Sequence, residues 1–337
     1  AQVLQVQTAT SSFALSLGFF VATLGLLLAF RYRWLRGQAL PLLALAIILV
    51  DLVGNNAIIN PTPDDPTGGF NHPPVTDFLD RNLTSQRLDT VTGVEDVWQP
   101  DAAALYRYRS LWGLYDPLTL VDYYWYWKIH VPGRGSRLYD LLGARYVLGH
   151  KDVVLDKPKF QLAFDGDSQI NVYENASALP RAFFVGQAIP VPDHDAALAA
   201  IKTVGFDPGR AVVVEDFPPG LSTGTSHDSF IPVSFGADGA NSVSIKVDAP
   251  TNGFIVLADP YYPGWTATVD GQPAPLLRGD WVFRTVPVPA GSHQVTFAFR
   301  PRSVVIGGVI SAIAWLAALG LIGVSVFRGP SRTSVAQ

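Results

Sequence analysis

Three stretches of the chain are strongly apolar: Ser12 to Phe30, Leu40 to Ile59 and Val304 to Phe327. A helix rises about 1.5 Å per residue, so about 20 apolar residues cross a hydrocarbon core of about 30 Å. All three stretches meet that length. The first and third are apolar all round, whereas a helix at the surface of a soluble domain carries one apolar stripe. Asp51, Asn55 and Asn56 interrupt the second near its end. The pattern predicts an N-terminal segment 1–59 with transmembrane helices at about 12–30 and 40–59, a C-terminal transmembrane helix at 303–327 and a tail at 328–337.

Between the spans the pattern turns polar and changes period twice. From 60 to 216 it mixes helix and strand signals. Pro74 to Asn82, Ser136 to Gly143 and Asp193 to Thr203 read as helices, the last with Asp193 or Asp195 as its N-cap. Arg145 to Leu148, Ile170 to Tyr173 and Val212 to Val214 read as strands, which together predict an α/β part. Phe217 to Asp228 is rich in turn residues and reads as a boundary. From 217 to 302 short alternating strands follow: Ser242 to Val247, Gly253 to Ala258, Trp265 to Val269, Trp281 to Val286 and His293 to Phe299. Asp270-Gly271 is a two-residue hairpin signal and Pro289-Ala290-Gly291 another turn. The prediction there is an antiparallel β-sandwich next to the membrane. The fold class expected is thus an α+β membrane protein with three transmembrane helices and a large extracytoplasmic domain in two parts.

Charge gives the orientation. Arg31, Arg33 and Arg36 crowd the loop between the first two spans, and Arg328 and Arg332 follow the third. The positive-inside tendency makes both regions cytoplasmic and puts residues 60–302 on the outer side of the membrane, with membrane lipids as partners. A net charge of -4 argues against nucleic acid as a partner, which would need clustered Lys and Arg. The chain has no cysteine, so thiolate metal sites and thiol nucleophiles are excluded. It also has no methionine, even at position 1, which reads as a processed chain or a piece of a longer one.

Candidate chemistry is sparse. Asp51 is a carboxylate within a span and Asn55 lies one helical turn further on the same face; the pair reads either as interfacial hydrogen bonding or as part of a ligand surface. The run Tyr106 to Trp127 is dense in Tyr and Trp, and Trp112, Tyr115, Tyr124, Trp125 and Trp127 are its candidates for stacking on sugar rings. Core packing, a subunit contact and a membrane interface explain the same run. Asp64-Asp65 reads as a solvated turn. No HExxH, no Gly-rich phosphate loop and no GxSxG occurs, so neither a metal site nor a cofactor nor a catalytic residue is assigned. Asn82 and Asn175 begin N-x-Ser/Thr triplets that would permit glycosylation where the machinery exists.

The phrase Tyr261-Tyr262-Pro263-Gly264-Trp265-Thr266-Ala267-Thr268-Val269-Asp270-Gly271, then Arg278-Gly279-Asp280-Trp281-Val282-Phe283-Arg284, then Phe299-Arg300-Pro301, resembles the membrane-proximal end of YfhO-type bacterial membrane proteins. Leu142 to Leu148, Val172 to Asn175 and Leu179 to Ala182 strengthen the likeness. It runs from about Leu40 onward, with Pro263, Gly264, Trp265, Asp270 and Gly271 as its structural motif. The resemblance implies a GT-C-like glycosyltransferase class, with a polyprenyl-phosphate sugar donor and a cell-envelope glycan acceptor on the outer face. In that class the catalytic carboxylate sits in an early outer loop absent from this sequence, so no catalytic residue carries over. Two functions are therefore expected: the C-terminal portion of a YfhO-like protein whose outer domain helps position the acceptor, or a non-catalytic accessory or scaffolding subunit packed against other integral membrane subunits.

Overall fold

The computed structural model describes residues 18–32, 39–59, 69–91, 97–99, 101–111 and 120–327. Two compact units divide the chain, residues 1–68 and 69–337. In the first, α1 (Gly18–Arg31) and α2 (Ala39–Ile59) are the described helices. Residues 12–17 of the first expected span lie outside the described residues.

The second unit opens with α3 (Pro73–Asn82), which starts where Pro73 and Pro74 fit a first helical turn. It is followed by β1 (Arg87–Thr90), α4 (Ala102–Leu105), α5 (Val121–Trp125) running into a π-helical turn (Tyr126–His130), and α6 (Arg137–Leu141). Strands β2 (Ala144–His150), β3 (Phe160–Phe164) and β4 (Ile170–Asn175) complete a sheet of order β1-β2-β4-β3. Helices α3 and α4 cover one of its faces through Val75, Leu79, Ala102 and Ala103 against Tyr146, Leu148, Ile170 and Val172.

The next strands are β5 (Ala182–Val185), β6 (Gln187–Val191) and β7 (Ala211–Glu215), with α7 (His194–Ile201) crossing between the last two as a parallel βαβ unit. Asp193 caps α7, its carboxylate accepting from Ala196 N at 2.8 Å. Then come β8 (Ile231–Pro232), β9 (Ser234–Gly239), β10 (Ser242–Ala249), β11 (Gly253–Pro260), β12 (Trp265–Val269), β13 (Gln272–Ala274), β14 (Leu277–Gly279), β15 (Phe283–Val288) and β16 (Gly291–Phe299). They form a seven-stranded sheet, β6-β7-β14-β15-β11-β5-β8, and a five-stranded one, β13-β12-β16-β10-β9. The seven-stranded sheet draws strands from both sides of residue 216. The segment Phe217 to Asp228 does not leave it either: Thr225 N bonds Gly186 O and Ala188 N bonds Thr223 O.

Strand β11 shows why the apolar pattern is continuous there. Phe254, Val256 and Ala258 enter a central cluster with Phe183, Val212 and Phe283, while Ile255 and Leu257 enter a second with Val243, Ile245, Val295 and Phe297 of the five-stranded sheet. Both faces are buried, so no polar residue alternates. At the Asp270-Gly271 hairpin both residues have positive φ, 50° and 78°, as a two-residue turn between β12 and β13 requires.

Two readings are corrected. Trp281 and Val282 do not belong to the strand expected at 281–286, because Asp280 and Trp281 both adopt positive φ (44° and 77°) and the strand begins at Phe283. Asn175 is fully buried and donates to Asp140 Oδ1 at 3.0 Å, which withdraws it from the surface position a glycosylation site needs.

The last element is α8 (Arg302–Phe327). Its stretch Arg302–Gly320 is the one helix among the described residues long and apolar enough to cross a membrane, and it is exposed on every side.

Candidate functional site

The loop after β11 is shaped by its glycine. Gly264 has a φ of +104°, and a Cβ there would lie 3.0 Å from Phe299 and 3.1 Å from Pro301. Arg300 N bonds Gly264 O at 2.8 Å, and Phe299 meets the rings of both Tyr262 and Trp265. The Pro263-Gly264-Trp265 turn is therefore seated on the residues that lead into α8.

The turn after β14 is pinned to β7. Asp280 replaces a strand partner for β7: its N donates to Val213 O at 2.7 Å and its Oδ1 accepts from Val213 N at 2.9 Å. The carboxyl is completely buried, and burial pushes it up to about 8 despite that hydrogen bond. Trp281 is held between rings, stacked on His194 at 4.8 Å and Tyr126 at 6.3 Å with His130 edge-on at 5.0 Å.

Arg278, at the centre of β14, projects from this frame. Its Nε forms an ion pair with Glu215 Oε1 at 3.0 Å and its Nη1 donates to Asp122 Oδ2 at 3.2 Å, while its guanidinium lies 5.0 Å from the Tyr261 ring centroid. His194 Nδ1 is 3.1 Å from the second oxygen of Glu215. Arg278 and Tyr261 separate two clefts. One, about 210 Å³, is lined by Leu120 to Tyr123, Pro260 to Pro263, Arg278 and Val282. The other, about 270 Å³, is lined by Glu215, Asp216, Tyr261 and Leu276 to Arg278.

A buried ionic cluster lies beneath Pro260. Asp259 accepts from Arg181 through Nε at 2.9 Å and Nη2 at 2.7 Å, and from Arg87 Nη2; Arg284 Nη1 stands 3.9 Å away. Burial alone would raise the Asp259 pKa, but the Arg181 hydrogen bonds and the charges of Arg87, Arg181 and Arg284 outweigh it and hold the carboxyl well below the usual carboxylate range. Arg284 donates from Nε to Pro260 O at 3.0 Å, and burial pulls its pKa down to about 10. Arg181 also pairs with Asp238, which takes Arg109 as well. The cluster fixes the carbonyl from which the Tyr261 loop departs.

The sequence candidates fall unevenly around these clefts. Tyr124 and Trp125 are exposed on α5, whose first residues line the smaller cleft. Trp127 is half-buried, against the Tyr139 ring at 5.7 Å and under Arg134 at 5.9 Å. Trp112 and Tyr115 lie outside the described residues. Asp51 and Asn55 fall on α2 of the first unit, with their side chains outside the described ones. Of the structural motif, Pro263 lines the smaller cleft, Gly264 and Trp265 pack on Phe299, and Asp270 and Gly271 form the hairpin. Asp122, Glu215, Tyr261 and Arg278 carry no site signal in the sequence pattern. Tyr261 and Arg278 belong to the two family-like motifs, whereas 93 positions separate Asp122 from Glu215.

No curated protein and no solved structure matched this chain. Residues 232–311, which hold both motif loops, the whole five-stranded sheet and the start of α8, match the family model described as bacterial membrane protein YfhO. That segment is what makes the chain similar to YfhO-type bacterial membrane proteins.

Proposed function

We propose that the large domain lies on the outer side of the bacterial cytoplasmic membrane and positions a cell-envelope glycan acceptor for transfer from a polyprenyl-phosphate sugar, as part of a glycosyltransferase-like membrane protein. In this reading 12–30, 40–59 and 303–327 are spans, Arg31, Arg33 and Arg36 face the cytoplasm, and the two facing sheets act as a membrane-proximal β-sandwich. The observation that carries it is the lining around Arg278. Tyr261 and Tyr262 offer ring faces to the C–H side of a sugar, while Asp122, Glu215 and the guanidinium exchange hydrogen bonds with hydroxyls. At about 210 Å³ the smaller cleft falls short of the about 300–1,000 Å³ that encloses a drug-sized ligand. It takes one ring or a chain end.

A second reading, an accessory or scaffolding subunit without catalysis, draws on α8, whose stretch Arg302–Gly320 is exposed among the described residues. Tyr261→Ala and Arg278→Gln separate the two. Acceptor positioning predicts a fall of about tenfold in transfer by membranes carrying the variants, equivalent to about 1.4 kcal/mol, with co-purifying subunits unchanged. A scaffold predicts lost co-purification instead. Variants that change neither remove the clefts from both roles.

A further inference from the structure

Residues 121–130 form two helical turns and a half that are apolar on both sides. Tyr123, Tyr126, Trp127 and His130 face inward, Tyr126 being fully buried against Trp281 and Phe283. The opposite face carries Val121, Tyr124, Trp125, Lys128 and Ile129, at the i, i+3, i+4, i+7, i+8 spacing of a single helical stripe. Val121 is 64% exposed, Trp125 45% and Ile129 55%. A helix at the surface of a soluble domain places polar residues there, and burial of this stripe would remove three large apolar side chains from water.

We infer that this stripe rests in the headgroup region of the membrane that α8 enters. Position comes first. Val121 and Asp122 share the smaller cleft with Tyr262 and Pro263, and Gly264 beside them is bonded to Arg300, two residues before α8 begins. Tyr262, itself 44% exposed, lines that cleft with Val121 and meets the ring of Phe299, three residues before α8. Composition comes second. Trp and Tyr with an apolar body and a polar edge, flanked by a Lys whose stem is apolar, are the residues that settle between acyl chains and water. The helix lies in the plane of the interface and does not cross it, since ten residues span about 15 Å, half of the hydrocarbon thickness. The second unit then meets the membrane at two places, α8 and this stripe, and the mouth of the smaller cleft opens at lipid level. The inference does not depend on what the cleft binds.

The absence of cysteine makes the test direct. Val121→Cys, Trp125→Cys and Ile129→Cys, each alone in the full chain, carry a nitroxide spin label in nanodiscs of phosphatidylethanolamine and phosphatidylglycerol. Val204→Cys, at a fully exposed position, is the aqueous control. Collision with oxygen, which concentrates in the bilayer, should exceed collision with a water-soluble nickel chelate at the three stripe positions, and the order should reverse at 204. High collision with both reagents at the stripe would leave it in water and overturn the inference. Low collision with both would place a protein partner or a second copy on it and overturn it equally. Normal labelling and an unchanged melting midpoint show that each variant is folded.

Discussion

The guanidinium of Arg284 lies 3.5 Å from the centre of the Trp265 ring. Both residues belong to the segment that matches the family, one on each of the two facing sheets, so this contact ties the Pro-Gly-Trp turn to the arginine cluster below it. A cation over an indole face contributes from about 0.5 to 2 kcal/mol, most when water is excluded. Trp265→Ala removes that contact and the packing on Phe299, and should destabilise the domain by about 3 kcal/mol. Trp265→Phe keeps an aromatic face and should recover about half. Denaturant unfolding of the purified chain reads both; equal losses for the two variants would show that ring stacking under Arg284 contributes nothing.

Among the described residues Asp259 is the carboxylate that pairs with Arg87 and Arg284, and Arg181 shares it with Asp238. Removing one partner of a buried ion pair leaves the other charge uncompensated, at a cost of about 3–5 kcal/mol. Asp259→Asn should lose that amount at neutral pH. Because the folded carboxyl sits below its ordinary value, its contribution is fully present above about pH 4 and is lost as pH falls toward the folded pKa. The variant should therefore approach the parent in stability under strong acid, and a constant gap down to pH 2 would contradict the assignment.

Asp280 runs in the opposite direction. Its folded pKa of about 8 lies above the ordinary 3.8, so between those values the folded chain holds a proton that the unfolded chain has released. Its contribution to stability declines as pH rises from about 4 to about 8 and then levels off. Asp280→Asn cannot ionise and should flatten the decline across that window. Melting midpoints of parent and variant from pH 5 to 8.5 should diverge, with the variant gaining toward alkaline pH; parallel curves would mean Asp280 is ionised in the fold.

Local signals made much of this fold legible. The period-2 run of β10 places Val243, Ile245 and Val247 on one face, the Asp270-Gly271 pair forces its hairpin, and Asp193 caps α7 as its chemistry demands. What the residues do not announce is pairing at long range. Arg181 meets Asp259 across 78 positions, and β5 reaches the same sheet as β11 and β15 although the turn-rich stretch between them looks like a boundary. Trp281 reads as a strand residue by type, yet the burial of Asp280 beside Val213 turns the backbone over at both positions. The clefts were hidden for the same reason. Asp122 and Glu215 gain meaning only when β14 brings Arg278 between them, and the aromatic run divides into core, cleft and open face according to helical phase that a list of rings does not show.

Under the proposed function the Arg278 clefts hold a glycan. Saturation-transfer NMR on the full chain in nanodiscs, with an oligosaccharide released from bacterial cell envelope, tests it without requiring turnover. Saturation should pass from the protein to sugar ring protons, fall by more than about tenfold with Tyr261→Ala, and persist with Tyr108→Phe, whose ring stacks on Tyr106 away from the clefts. No transfer to the sugar from the parent protein, or equal transfer from parent and Tyr261→Ala, would contradict the account.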